Sequence, residues 1–174
     1  MSAPKNQDPT INKIPSTGRT LGLADIEALA LGAWILGTGG GGDPYHKLLN
    51  MRELYKNGHT VELVDPMSLN DDALVAVLSN MGAPLVGQER LADPAFAIKP
   101  VRMMERYLGR AFDAVMALEI GGGNGVHPML VAALSGYPVI DADTMGRAYP
   151  EAQMTSVAVS NLQCFPLTLA DIRD

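Results

Sequence analysis

Acidic side chains lie at the ends of apolar segments that are typical of buried strands. Glu119 is close to the end of the apolar run 112–120, and Asp141 and Asp143 follow the short apolar segment 138–140. Carboxylates in such positions can orient water, exchange protons or hold a metal ion, and two of them can divide acid and base work when their environments differ. Glu119, Asp141 and Asp143 are therefore the candidate catalytic residues.

Two glycine clusters, at 37–42 and 121–125, each precede a predicted helix. Consecutive glycines carry a large entropy cost on folding, so a compact domain rarely fixes them unless the backbone must come close to another group. Asp43 is predicted to cap a helix whose first residue is Pro44. The amides of such a loop, together with the positive end of the helix, suit an anion or a polarised carbonyl. The first cluster is thus either a ligand cradle or a tight connection between two helices.

The elements that must position these residues alternate between helices and strands. Hydrophobic spacing and capping signals predict helices over 23–36, from Tyr45 to the stop at Asn57-Gly58, over 100–108, and from about 128 to 135. Strands are predicted at 60–64, 72–78, 112–120, 138–140 and 155–159. This order predicts an α/β fold, a layered and mostly parallel sheet flanked by helices. Ligands of such sheets bind at the carboxyl ends of the strands, where Asn80, Asn124 and the three acids are expected.

The composition narrows the classes of function. The formal net charge is −6 and no Lys/Arg cluster occurs, so neither nucleic acid nor an anionic membrane surface is expected as a partner. The first residues contain no apolar core typical of a signal peptide, and no apolar run reaches the length of a membrane span. A single cysteine fits a reducing compartment. The expectation is a cytoplasmic protein with a small-molecule ligand.

The second glycine cluster also matches part of a dinucleotide-binding fingerprint. A predicted strand precedes Gly121 and Gly123, a helix follows, and Asp141 comes about twenty residues later. However, Val126 occupies the position of the third glycine, so a simple turn is favoured over a nucleotide site. A P-loop is excluded, because neither cluster ends in Gly-Lys-Ser/Thr.

Metal-ligating and nucleophilic side chains are few. Asp141, Asp143 and His127 could supply oxygen and nitrogen ligands, but an Asp-x-Asp after a strand more often caps a loop. His127 is interpreted as a helix N-cap or as a general base, with capping favoured. Cys164, which has apolar neighbours, is predicted to be a buried thiol and not a nucleophile.

Three ordered motifs add a family resemblance. They are Leu-Gly-Thr-Gly-Gly-Gly-Gly-Asp-Pro at 36–44, Glu-Ile-Gly-Gly-Gly-Asn at 119–124, and the segment 138–151 with Gln153-Met154. Over 21–174 the chain resembles the N-terminal domain of the S-methyl thiohydantoin desulfurase family. Members of that family have an α/β N-terminal domain followed by a β-rich domain. The resemblance therefore predicts a flexible lead-in at 1–20 and an N-terminal α/β domain at 21–174 that is incomplete without a second half, with exposed apolar surface and homo-oligomerisation.

The resemblance implies an activity and a set of residues. The activity is hydrolysis of a small hydantoin-like ring, in which water displaces methanethiol from an S-methyl thiohydantoin. A divalent metal, zinc by first expectation, is the implied cofactor, but its ligands are unknown. The alternative from a different class is a noncatalytic small-molecule-binding or assembly module, and a nucleotide-binding domain is the weaker alternative. Besides the three acids, the residues carried over by the motifs are Gly39, Gly40, Gly41, Gly42, Asp43, Gly122, Gly123, Asn124, Thr144, Arg147, Glu151 and Gln153.

Overall fold

The computed structural model describes residues 18–82 and 93–171. Its strands are β1 (Arg19–Leu21), β2 (Val61–Val64), β3 (Val75–Leu78), β4 (Ala114–Ala117) and β5 (Val139–Ile140). They form one sheet in the order β1-β2-β5-β4-β3, in which β1 is antiparallel to β2 and every other pair is parallel. The predicted α/β fold with a mostly parallel sheet is confirmed.

The helices begin and end at the local signals that the sequence carries. They are α1 (Leu23–Gly37), α2 (Tyr45–Lys56), α3 (Lys99–Leu108), α4 (Gly123–Ser135) and the single turn α5 (Ser156–Val159), with 3-10 turns at Pro66–Ser68, Pro94–Ile98 and Ala152–Met154. Gly109 and Gly136 end α3 and α4 at φ values of 67° and 80°, the left-handed conformation that glycine adopts without a steric cost. None of these helices is both long enough and apolar enough to cross a lipid bilayer.

The longer helices, α1 to α4, contribute to one hydrophobic cluster on a single face of the sheet. Successive strand residues point to opposite faces, and Val115 of β4 belongs to the cluster that contains Ile26, Met51 and Val126 from the helices. Ala114, the preceding residue, belongs to a smaller cluster on the other face. The carboxyl ends of β3, β4 and β5 therefore open next to α1 and to the start of α4.

Some expectations about individual elements are wrong. The segment predicted as a strand at 155–159 forms the turn α5, because Thr155 Oγ1 caps it by accepting from Ala158 N at 3.4 Å. Val77 of β3 points to the face opposite the main cluster that contains Ala76 and Leu78, and it is 45% exposed, so β3 is not buried on both faces. The helix α4 begins at Gly123, inside the second glycine cluster and not after Pro128. Cys164 is exposed.

Two segments beside the undescribed residues have regular structure. Residues 1–17 lie outside the described part of the chain, but Arg19 and Thr20, which the lead-in was expected to include, belong to β1. Residues 83–92 also lie outside the described part of the chain, and Pro94–Ile98 is a 3-10 turn that Asp93 caps.

Candidate functional site

The two glycine clusters pack directly against each other. Gly123 N donates to Gly42 O at 2.8 Å, and Asn124 N donates to Gly41 O at 3.3 Å. Gly122 N donates to Ala33 O of α1 at 2.6 Å. The amides at the positive end of α4 are therefore already occupied by carbonyl groups. The expected use of the Gly122 and Gly123 amides to hold a ligand carbonyl does not fit this arrangement.

Close backbone approach is the reason that these positions are glycine. A Cβ at Gly41 would lie 2.3 Å from the carbonyl oxygen of Gly121, and one at Gly122 would lie 2.5 Å from Gly42 O. Real Cβ atoms do not approach other atoms so closely, so the two clusters could not meet with side chains present. In the described residues no backbone hydrogen bond uses the amides of Gly39, Gly41 or Gly42, which leaves those groups as donors for a ligand.

Glu119 and Asn124 form a buried polar pair beneath this junction. Asn124 Nδ2 donates to Glu119 Oε1 at 2.8 Å, and Asn124 Oδ1 accepts from Asn80 N at 2.8 Å. Asn124 thus joins the carboxyl ends of β3 and β4. Glu119 is only 4% exposed, and within the described part of the chain its Oε2 is buried without a hydrogen-bond partner.

The environment of Glu119 favours its protonated form. Burial raises the pKa of the Glu119 carboxyl, and the charge of Asp143 acts in the same direction, whereas the hydrogen bond from Asn124 and the proximity of the Gly121 backbone lower it. Burial, and then the charge of Glu119, raise the pKa of the Tyr149 phenol. An acid with a raised pKa and a free oxygen is able to exchange a proton with a bound molecule.

Asp143 and Thr144 hold the neighbouring loop in place. Asp143 Oδ2 accepts from Ile120 N at 2.8 Å, and Asp143 also accepts from the amides of Met145 at 3.2 Å and Gly146. Thr144 Oγ1 donates to Leu118 O at 2.6 Å. These bonds tie the loop after β5 to the end of β4. The geometry therefore gives Asp143 a role in positioning this loop. The sequence had predicted Asp143 only as a catalytic residue.

Asp141 lies at the rim of a cavity of about 230 Å³. The cavity lies between α1, α4 and the sheet, with apolar walls that include Leu29, Met129 and Val139. Asp141 is exposed and Asp143 lies on the same rim. The strand ends thus bring Glu119 close to Asp143, while Asp141 faces the solvent side of the cavity.

The remaining predicted residues act locally. Asp43 Oδ1 accepts from Tyr45 N at 2.8 Å, but the N-cap of α2 is Pro44 and its first helical residue is Tyr45, so the predicted cap and helix start each lie one residue too early. Arg147 Nη2 donates to Thr38 Oγ1 at 3.3 Å. Within the described ranges it forms no ion pair.

The sequence did not predict where two basic side chains, Lys47 and His127, lie between α2 and α4. His127 lies within α4 and not at its cap, and burial, with a contribution from the charge of Lys47, lowers its pKa to about 3. Burial lowers the pKa of Lys47 on α2 to about 8. No local signal in the sequence indicates this placement, since it depends on the packing of α2 against α4.

The donor set does not fit the divalent metal that the resemblance implied. Across 18–82 and 93–171, no three His, Cys, Asp or Glu side chains lie close enough together to hold a metal ion. Of the predicted donors, Asp141 and Asp143 share the rim of the cavity, whereas His127 is buried within α4. No step of the chemistry below is therefore assigned to a metal.

The fold and site define an α/β domain in which two glycine clusters cover a buried Glu-Asn pair at the carboxyl ends of parallel strands. The family described as S-Me-THD-like, N-terminal domain, matches residues 24–174, and the chain belongs to this family. A crystal structure of a protein from Chromobacterium violaceum is similar, with 30% identity and a TM-score of 0.64 over 82% of this chain. The match spans 40% of that protein, so the chain corresponds to about two fifths of its length. No curated protein matches the chain.

Proposed function

We propose that the chain supplies the glycine-cluster side of a hydrolytic site for a small hydantoin-like ring. The observation that carries the proposal is Glu119, a buried carboxylate whose Oε1 is fixed by Asn124 and whose Oε2 has no partner among the described residues. A buried polar atom without a partner is costly, and functional sites are where such costs concentrate. The family name supports the choice of an S-methyl thiohydantoin as the substrate.

In the proposed reaction, water attacks the ring carbon that carries the S-methyl group. Glu119 in its carboxylate form takes one proton from the water, the carbon–sulfur bond breaks, and this proton passes to the departing methanethiolate, while the second proton of the water moves to the ring nitrogen as the new carbonyl forms. A hydantoin and methanethiol are the products. The raised pKa of Glu119 suits both proton transfers, because a group that titrates closer to neutrality can accept and then donate.

The glycine clusters would position the ring. The amides of Gly39, Gly41 and Gly42 are the donors left available for a ring carbonyl. Because Gly41 and Gly121 lie directly over Glu119, the proposed substrate reaches Oε2 only when the first cluster moves aside. Glycine-rich backbone suits such a movement, since it has few side-chain contacts to break.

The alternative is a noncatalytic binding or assembly module. It is favoured by the mutual packing of the two clusters, which explains their glycines without a ligand. The outer face of α1 also exposes Leu31, Trp34 and Ile35, each more than half exposed, which supports the expected homo-oligomer. A nucleotide-binding domain is disfavoured, because carbonyl groups occupy the amides at the start of α4.

Methanethiol release from an S-methyl thiohydantoin tests the proposal. We expect release by this chain or by the longer Chromobacterium violaceum protein, and a loss of about 10²- to 10⁴-fold in Glu119→Gln. Glu53→Gln is the matched control, because its side chain is 63% exposed on α2. Undiminished release from Glu119→Gln would exclude Glu119 from the reaction. Absence of release from both proteins would contradict the reaction itself.

A further inference from the structure

Lys47 is a half-buried cation without a counter-ion. Its Nζ lies over Gly123, where a Cβ would be only 2.9 Å away, so the glycine leaves room for the ammonium group between α2 and α4. No carboxylate of residues 18–82 or 93–171 lies within 4 Å of Nζ. A half-buried charge is normally paired, since withdrawing it from water is costly.

His127 follows Gly123 by one helical turn and lies on the same face of α4. Its side chain is only 6% exposed, and Nδ1 is buried with no hydrogen-bond partner among the described residues. The Lys47 ammonium is close enough for its charge to act on the imidazole. A neutral imidazole can donate from one nitrogen and accept at the other, so His127 can present an N–H beside the ammonium group.

From these two unpartnered groups we infer that Lys47 and His127 form a binding site for a small carboxylate. The ammonium of Lys47 would take one carboxylate oxygen and the N–H of His127 the other, which would satisfy both groups at once. A carboxylate is favoured because it is planar, compact and offers two acceptor oxygens. The backbone N–H of Gly42, just before α2, is also free and would be a further hydrogen-bond donor to the carboxylate.

The other charged groups around α2 do not compete for this role. Asp43 Oδ1 accepts a hydrogen bond from Tyr45 N at 2.8 Å. Glu27 of α1 accepts from Arg52 Nε at 2.9 Å. Of the elements that pack against α2, α4 therefore presents the neutral His127, and α1 presents a carboxylate that is already paired.

This site deepens the proposed function and rests on it in one respect. Gly123 lies over Lys47, and the next residue, Asn124, holds Glu119, so the two sites flank the first turn of α4. The substrate class that follows is a hydantoin-like ring with a carboxylate substituent. A free carboxylate would use the same groups, so the experiment below separates the two sources.

The test is an NMR titration of the whole chain with acetate, with chloride replaced at constant ionic strength. We expect saturable shifts of the Lys47 side-chain and His127 ring signals, and a rise in the Lys47 pKa on saturation. Lys47→Met should weaken acetate binding by at least about tenfold. Lys56→Met is the matched control, because Lys56 lies on the same helix with its side chain 77% exposed.

Lys47→Met removes a half-buried charge, so we expect it to fold. If it does not, the Lys47 pKa with and without acetate in the unaltered chain decides the question alone. Absence of saturable shifts, or equal acetate affinity in both variants, would overturn the site. Tighter binding of hydantoin-5-acetic acid than of acetate would place the carboxylate on the ring. Equal affinities would retain the site but remove its link to the proposed substrate.

Discussion

Two buried glutamates, Glu105 on α3 and Glu119 after β4, show how differently this fold treats similar side chains. They are 8% and 4% exposed. Glu105 Oε2 accepts from Arg102 at 2.8 Å, and its Oε1 accepts from Tyr137 and from Phe112 N. Glu119 accepts one side-chain hydrogen bond, from Asn124, and within the described residues its Oε2 is buried without a partner.

The difference separates a structural acid from a candidate functional one. A buried carboxylate that is fully hydrogen-bonded stabilises the fold around it, as Glu105 does between α3 and the residues before β4 and β5. A buried carboxylate with a free oxygen costs stability unless something else uses it. The contrast predicts that equivalent substitutions of the two glutamates will have opposite effects on stability.

The largest effect is expected where the glycine clusters cover Glu119. Gly41→Ala would place a Cβ 2.3 Å from Gly121 O, at a φ of 72°. Overpacking together with left-handed backbone strain should lower the free energy of unfolding by about 3–5 kcal/mol. Urea denaturation would measure this loss.

Gly39→Ala is the control for Gly41→Ala. Gly39 also has a positive φ, 92°, but a Cβ there would meet nothing within 4 Å. We expect a cost of about 1–2 kcal/mol, from backbone strain alone. Equal costs at both positions would show that the close contact between the two clusters is not the reason that Gly41 is glycine. The description of the first cluster as packed tightly over Glu119 would then be wrong.

Local signals explain how much of the fold could be predicted from the sequence. Stops such as Asn57-Gly58 after α2 and Gly109 after α3 act within a few residues, so the helices α1 to α3 and the strands β2 to β5 were placed close to their observed bounds. β1 was missed because a three-residue strand depends on its pairing with β2. The prediction for 155–159 relied on β-branched composition, which a single capping bond from Thr155 outweighed.

The candidate site was less predictable, because its character depends on contacts between distant segments. Glu119 could be selected, since it ends a strand. The use of the Gly122 and Gly123 amides could not be foreseen, because it depends on where the first cluster docks. The burial of Lys47 likewise depends on α4, which lies about seventy residues further along the chain.

The next largest effect on the free energy of unfolding is expected at Glu105, the fully hydrogen-bonded glutamate. Glu105→Gln keeps the size of the side chain but loses the charge that Arg102 and Tyr137 contact. We expect a loss of about 1.5–3 kcal/mol, towards the lower value because the Arg102 side chain is 38% exposed. Chemical denaturation of both proteins would measure it. Tyr137→Phe should cost less, since it removes one bond and leaves the ion pair.

A change of opposite sign is expected for Glu119→Gln. A carboxyl whose pKa is raised on folding stabilises the fold while it is protonated, and this stability is lost as pH rises through its folded pKa. The amide removes that loss, so the variant should melt at a higher temperature than the unaltered chain at neutral pH. The two should converge in acid, below the ordinary glutamate pKa. Calorimetry across pH would measure this, and a lower melting temperature at neutral pH would contradict the contrast with Glu105.

The smallest effect is expected for an exposed glutamate that is well paired. Glu27 Oε1 accepts from Arg52 Nε at 2.9 Å and lies 2.7 Å from Arg52 Nη2, with the two side chains 43% and 45% exposed. Solvent screens this pair, so Glu27→Gln should cost no more than about 1 kcal/mol, and less as salt is added. Denaturation at low and high salt would measure both effects. If Glu27→Gln cost as much as Glu105→Gln, pairing alone would set the value of a glutamate here, and burial would not distinguish Glu105 from the rest.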